Sequence, residues 1–294
     1  MLTAAPRLLL VHAHPDDESL TTGGTIARYA AAGVQVTVVT CTLGEEGEVI
    51  PPSLAGLVAA ESDQLGGYRV GELRAACAAL GVSDHRYLGG MGRWRDSGMV
   101  GTAAAAGAPR DLHPRAFAAG DPDAQAEQLA QVIAEVTPQV VITYGPDGGY
   151  GHPDHVRVHD ITTAAVSAAP GVARLFHAVN SGAALAEGVE ALRGVDGLPW
   201  RLPGADDLAT TDDSLITTVI DVTDHLPAKV RALRAHATQV SVWRGAGGEQ
   251  AYSLSNAIAL PVLGHEHYVL AKGPAGAETD LFAGLAPAGA GTGR

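Results

Sequence analysis

Residues 7–40 read RLLLVHAHPDDESLTTGGTIARYAAAGVQVTVVT. After Arg7, the unbroken apolar run Leu8, Leu9, Leu10 and Val11 reads as a short strand buried on both faces. The polar stretch over 14–19 reads as a turn. Leu20, Ile26, Ala27 and Ala30 supply the apolar side of a helix that runs to Gly33, a residue suited to end one. Residues 34–40, dense in Val and Thr, predict a second strand. Strand, helix and strand joined by a short polar loop make a βαβ unit, and such a unit lays its strands parallel.

The rhythm continues outward from that unit. Residues 70–80 predict a helix ending at Gly81, and 85–88 a short strand. Residues 123–136 predict an amphipathic helix, opened by Asp121 and Pro122 and stopped before Pro138. A buried strand over 139–144, a helix over 153–169 and a strand over 174–180 follow. The expected fold class is therefore α/β: a Rossmann-like, doubly wound, mostly parallel sheet with functional loops at the carboxyl ends of its strands. Three stretches break the pattern. Residues 98–120 are rich in Ala, Gly and Pro and predict a long surface loop or lid. Residues 181–213 mix a short helix over 184–193 with irregular acidic chain. From 284 onward the chain is low-complexity Ala and Gly. The expected organisation is a catalytic core over 1–180, a smaller C-terminal lobe over 181–283 that completes the cleft, and a disordered tail over 284–294.

Composition narrows the partners. Asp and Glu outnumber Lys and Arg by 32 to 19 among 294 residues, a formal charge of −13. Such a surface repels phosphate backbones, so no nucleic-acid partner is expected. Cys41 and Cys77 lie outside any CxxC arrangement, which argues against a disulfide scaffold and fits a reducing compartment. No stretch approaches the roughly 18 apolar residues of a membrane span, and 1–6 lack the basic start of a signal sequence. The expectation is a soluble cytoplasmic protein with neither a membrane nor a protein partner. The loop after the first strand has no GxGxxG, which disfavours NAD and FAD.

Five of the twelve histidines fall in two short windows: His12 and His14, then His152, His155 and His159. The first window, VHAHPDDES, directly follows the first strand. His14 and Asp17, three apart across a turn stiffened by Pro15, can aim an imidazole and a carboxylate at one ion. The second, GPDGGYGHPDH, directly follows the strand over 139–144 and supplies His152, Asp154 and His155 at the start of a helix. In a parallel sheet both loops leave the carboxyl edge. The windows can therefore meet, and a His, Asp and His set with an open position suits catalytic zinc or non-haem iron. One His-Pro-Asp is ordinarily a turn or a helix cap. Two of them, each behind a buried strand, point to a shared metal site. His12, inside the strand, reads as a core residue or one standing behind a ligand, and His159 as packed or exposed. Asp154 is placed to orient an imidazole. Tyr150, on a loop that Gly148, Gly149 and Gly151 let turn tightly, is either a donor to a tetrahedral intermediate or structural. Glu45, Glu46 and Glu48 are either solvated loop charges or part of the site.

HPDDE at 14–18 together with GHPDH at 151–155 resembles the two signatures of the LmbE/PIG-L family of metal-dependent N-deacetylases. The resemblance extends to VVTCTLGEEGEVI (38–50), DQLGGYRVGEL (63–73), YLGGMGRWRDSGM (87–99), AHATQV (235–240) and LPVLGHEHYVL (260–270). It thus spans most of the chain; 101–123 and 182–213 match least. The resemblance implies that His14, Asp17 and His155 ligate one divalent metal per subunit, zinc first and iron(II) as the alternative. It implies that Asp16 is the general base and that His152 stabilises the oxyanion or protonates the leaving amine. The implied reaction is hydrolysis of the acetamide of N-acetylglucosaminyl-inositol, a small molecule of mycothiol biosynthesis, to acetate and the free amine. Within the resembling segments Arg69 and Asp96, then Glu48, are the candidates for binding the sugar, whose hydroxyls want paired donors and acceptors. Two alternatives stay open. One is a mycothiol S-conjugate amidase that uses the same site on a larger amide. The other is a non-catalytic sugar- or metal-binding module, against which Asp16 argues, because a binder has no use for a base.

Overall fold

The computed structural model describes residues 5–102, 104–204 and 207–285. Strand β1 (Arg7–His12) leads into a broken helix, α1 (Asp17–Thr21) and α2 (Gly23–Ala31), and then into β2 (Gln35–Thr40). The sequence pattern places one helix start near Leu20. The helix in fact begins at Asp17 and breaks at Thr22, whose hydroxyl donates to the Glu18 carbonyl (3.0 Å) and meets His12 Nε2 (3.1 Å). Gly24, just past the break, has to be small: a Cβ there would stand 2.6 Å from the Val222 side chain. Helix α3 (Leu65–Leu80) starts five residues before the expected 70 and ends at Gly81, which takes φ 82° to close the cap. Strand β3 (Asp84–Tyr87) follows.

The stretch expected as a bare loop or lid over 98–120 carries structure. It forms the hairpin β4 (Val100–Thr102) and β5 (Ala105–Gly107), then a single helical turn that buries Phe117. Helix α4 (Pro122–Val136) opens on the Asp121 carboxylate, which accepts from the Asp123 N–H. Then come β6 (Val140–Tyr144), α5 (Pro153–Ser167), β7 (Arg174–Val179) and α6 (Gly182–Leu192). The remaining elements are β8 (Thr218–Asp221), α7 (Leu226–Ala235), β9 (Ser241–Arg244), β10 (Gln250–Ser253), β11 (Leu260–Pro261) and β12 (His265–Lys272).

Seven strands form one sheet in the order β3-β2-β1-β6-β7-β12-β8. The first five are parallel; β12 pairs antiparallel with both β7 and β8. The 181–283 segment thus adds two strands to the central sheet, and β11-β10-β9 make a separate small sheet. Leu8, Leu10, Val36, Val38, Val140 and Ile142 share one face with Ile26, Leu73 and Ala232 of the helices α2, α3 and α7. Leu9, Val11, Val39 and Val141 share the other with Leu129 and Ile133 of α4 and Val158 and Ile161 of α5. Coverage on both faces is why Leu8–Val11 of β1 and Val140–Ile142 of β6 are unbroken apolar runs instead of alternating. Among the described residues no helix is long and apolar enough to cross a membrane. Of the tail expected from 284, residues 284–285 close a turn on Phe282, and 286–294 lie outside the described residues.

Strand β1 lies between β2 and β6, the point at which the strand order reverses. Loops leaving the carboxyl ends of neighbouring strands part there and open a crevice. Both histidine windows sit at that place.

Candidate metal centre

His14 follows the end of β1 by two residues, and Pro153 opens α5 after the turn that leaves β6. The two windows meet in three atoms. His14 Nδ1 and His155 Nε2 stand 3.2 Å apart, and each is 3.4 Å from Asp17 Oδ2. Ligands bonded at ~2.0–2.1 Å to a tetrahedral cation lie about 3.3 Å from one another. The outward nitrogens are occupied: His14 Nε2 faces Asp154 Oδ2 at 3.2 Å, and His155 Nδ1 faces the Gly148 carbonyl at 3.1 Å. A ring that donates from its outer nitrogen keeps a lone pair on the inner one. With both rings neutral, two imidazole lone pairs and a carboxylate therefore converge, buried. A divalent cation relieves that repulsion, and the residues fit one.

The surrounding carboxylates draw positive charge to this spot, which a proton on His14 or a cation in its place can supply. Burial acts to raise the Asp17 carboxyl, yet the imidazoles of His155 and His14 hold it well below the usual carboxylate range. Against its burial, His14 is pushed well above the ordinary imidazole range by Asp96, Asp154 and Asp17. His14, His152 and His155 offer ligand atoms within 4.8 Å of one another, as do His14, Asp96 and Asp154. In the second group the carboxylates already have other partners. Asp154 accepts from the Ser97 N–H and hydroxyl, and Asp96 from the N–H groups of Glu46 and Gly98. They act as acceptors for His14, with Asp96 Oδ1 at 3.4 Å from Nε2.

The other expected residues divide. Asp16 stands beside the convergence in a strained conformation, φ 108° and ψ −32°. Its Oδ2 is 3.2 Å from an Arg69 nitrogen, and burial pushes its carboxyl up to about 6 even with Arg69 opposing. Arg69 is buried and also donates to the carbonyls of Pro15 and Gly44, so it braces the turn that carries Asp16. His152 caps α5: its Nδ1 accepts from the Asp154 N–H, which leaves the ring proton on Nε2. Burial and then the neighbouring His14 and His155 push it down to about 2, so it stays neutral. Its ring lies 4.6 Å from that of His14. The Tyr150 ring lies 5.1 Å from the His155 ring, and its carbonyl accepts from Ala106 of the hairpin. Asp154 does orient an imidazole, but it is His14, 140 residues away, and not the adjacent His152. Glu48 is exposed, and only its backbone carbonyl is engaged, by the Gln239 side chain. Glu45 accepts from the Asp96 N–H and Glu46 from Arg95, so both tie loops together. His12 is core, edge-on to Tyr144, and His159 packs on His177.

Residues 9–166 match the family model described as PIG-L: GlcNAc-PI de-N-acetylase. The chain belongs to the PIG-L family. Among PIG-L relatives, the 1D-myo-inositol 2-acetamido-2-deoxy-alpha-D-glucopyranoside deacetylase of Actinosynnema mirum is 66% identical, covering 97% of this chain and 99% of its own. The protein named as deacetylase 1 for the same compound in Saccharopolyspora erythraea is 61% identical, over 98% and 97%. Solved structures share the fold at lower identity. The N,N'-diacetylchitobiose deacetylase of Pyrococcus horikoshii superposes with TM-score 0.52 at 19% identity, covering 80% of this chain and 70% of that one. The 4-carboxy-2-hydroxymuconate hydratase of Pseudomonas putida KT2440 gives 0.51 at 19%, with 80% of each chain covered. A fold shared by deacetylases and a hydratase leaves the reaction to the site.

Within this PIG-L chain four residues that support the site escape the sequence reading. The Tyr144 hydroxyl donates to Asp17 Oδ2 (2.7 Å) and accepts from the Ala13 N–H (2.8 Å), while its ring stacks on His155. Ser97 anchors Asp154. Glu18 and His236, both fully buried, form an ion pair at 2.7 Å behind Asp16. Tyr144 reads as one more apolar strand residue, and the partners of the other three are too distant in sequence to suggest a pair.

Proposed function

We propose that this chain hydrolyses the acetamide of N-acetylglucosaminyl-inositol to acetate and the free amine, as a cytoplasmic step of mycothiol biosynthesis. The observation that carries the reading is the convergence of two imidazole lone pairs and a carboxylate beside an independently held second carboxylate. A site that only bound a metal or a sugar would have no use for Asp16. The substrate follows the names of relatives 66% and 61% identical over nearly the whole chain.

His14, Asp17 and His155 would hold the cation, and this N,N,O set with room for further ligands suits zinc first and iron(II) next. When bound, a divalent cation there would polarise the amide carbonyl and make a water acidic enough to attack near neutral pH. Asp16 takes the proton of the attacking water and returns it to the leaving nitrogen, the part of a carboxylate next to a metal but not bound to it. His152 presents its Nε2–H to the oxygen that gains charge in the tetrahedral intermediate, a donor fixed in place by its cap on α5. Tyr150 closes the same side. Asp154 acts through His14, keeping its Nδ1 turned inward. Arg69 and Asp96, both buried, would meet the sugar only at its reactive end. Exposed Glu48 is free to reach more distant hydroxyls.

The test is release of primary amine from N-acetylglucosaminyl-inositol by metal-loaded protein, with a chelated sample beside it. Amine that appears only with metal supports the reading. Metal-loaded protein that leaves this acetamide intact but cleaves a mycothiol S-conjugate would overturn it in favour of the amidase.

A further inference from the structure

We infer that His236, acting through Glu18, is a positioning residue that holds Asp16 in the geometry its role as base requires. This deepens the deacetylase reading and rests on it. Asp16 has φ 108° and ψ −32°, a region that an L residue keeps only where its surroundings over-determine it. Its carboxylate is braced from one side by Arg69, which also grips the Pro15 carbonyl. From the other side its N–H donates to Glu18 Oε2 at 3.0 Å. The second oxygen of Glu18 accepts from His236 Nε2 at 2.7 Å and from the Ser19 hydroxyl. One carboxylate thus spans a strained backbone N–H and an imidazole from 218 residues further along the chain.

His236 is itself anchored independently of the site. Its carbonyl accepts from the N–H groups of Gln239 and Val240, and its own N–H donates to Leu233 at the end of α7. Two residues on, Thr238 donates its N–H and its hydroxyl to Glu72 of α3. Among the described hydrogen bonds and ion pairs, neither Glu18 nor His236 is joined to His14, Asp17 or His155. The segment therefore bears on Asp16 and leaves the three converging atoms alone. Without the imidazole only the neighbouring Ser19 hydroxyl holds that oxygen of Glu18, and one of the two side-chain braces on the turn that carries Asp16 is weakened.

The experiment is steady-state deacetylation of N-acetylglucosaminyl-inositol by the full, metal-loaded chain, with the metal content of each variant measured. A wild type that binds metal but does not turn over takes both readings down together. With an active wild type, His236→Leu is expected to lower kcat by about 100-fold with KM within about twofold and metal content unchanged. His236→Gln, whose side-chain nitrogen reaches the position of Nε2, is expected to restore kcat to within about tenfold of wild type. Equal kcat in the Leu and Gln variants, a loss confined to KM, or loss of metal would overturn the assignment. Should His236→Leu fail to fold, Glu18→Asp serves in its place. It keeps the charge beside His236 but is one methylene too short to reach Asp16 as well, so kcat should fall as in the Leu variant, and a wild-type kcat would refute the role.

Discussion

Asp16 and Asp17 are adjacent, alike and in different positions relative to the ion site. Asp17, first residue of α1, turns its carboxylate to the two imidazoles, while the positive φ of Asp16 swings the neighbouring side chain toward Arg69. Their separation makes a clean prediction. Asp16→Asn should retain metal while kcat falls by about 10²–10⁴-fold, the usual contribution of a positioned base. Metal analysis together with kcat checks it, and unchanged turnover would remove Asp16 as the base. Gly148 makes a second. It has φ 65°, and a Cβ there would stand 2.7 Å from the Cβ of His155 and 2.9 Å from the Val156 nitrogen. Gly148→Ala should displace His155 and weaken metal binding by about 10–100-fold, the effect of losing the groups that orient a ligand. Calorimetric titration of chelated protein with zinc measures this, and wild-type affinity would show that the loop can relax.

At the scale of elements, the N-terminus of α2 is held by the far end of the sheet. Glu266 of β12 accepts from the N–H groups of Gly24 and Thr25, and from Lys229 of α7 at 2.7 Å. A carboxylate at a helix N-terminus satisfies orphan donors and meets the positive end of the helix dipole. Both Glu266 and Lys229 are buried. Lys229→Met keeps the aliphatic stem and leaves the carboxylate without its countercharge. It should lower stability by about 3–5 kcal/mol, the range for breaking a buried pair from one side, read as a shift in the urea midpoint at unchanged slope. A shift smaller than that of an exposed pair would mean that the two backbone N–H groups already compensate the charge.

For the whole molecule, His177 on β7 couples stability to pH. Burial, and then its neighbour His159, push it down to about 4 from the ordinary 6.5. Below about pH 6.5 the unfolded chain takes up a proton at this position that the folded chain refuses until about pH 4. This contribution to stability is therefore complete above 6.5 and is lost as pH falls toward 4. Urea unfolding at pH 7.5 and pH 5 should show wild type losing more stability than His177→Gln. Equal losses would mean that His177 is not held neutral.

How much of this was legible in the chain follows the range of the forces involved. The parallel core was readable because apolar runs, turn glycines and Pro138 act over a few residues, and both His-Pro-Asp windows stand directly behind strands that the run of side chains announces. That the two windows could meet was legible for the same reason, since βαβ connectivity alone puts both loops on one edge; the choice of His14, Asp17 and His155 within them came from the family resemblance. The break of the first helix at Thr22 was not, because the Thr22 hydroxyl turns to His12 on the strand before it, a contact that no helical periodicity announces. Nor was the hairpin over 100–107, whose Ala106 N–H is satisfied by Tyr150, nor the service of Asp154 to His14 instead of His152. The Glu18 and His236 pair was equally hidden: no periodicity links residues 218 apart. By itself the sequence determined which groups could meet an ion and on which edge of the sheet. Only the tertiary structure decided which lone pairs face inward, because a ring nitrogen is turned by the acceptor behind it, and that acceptor comes from another part of the chain.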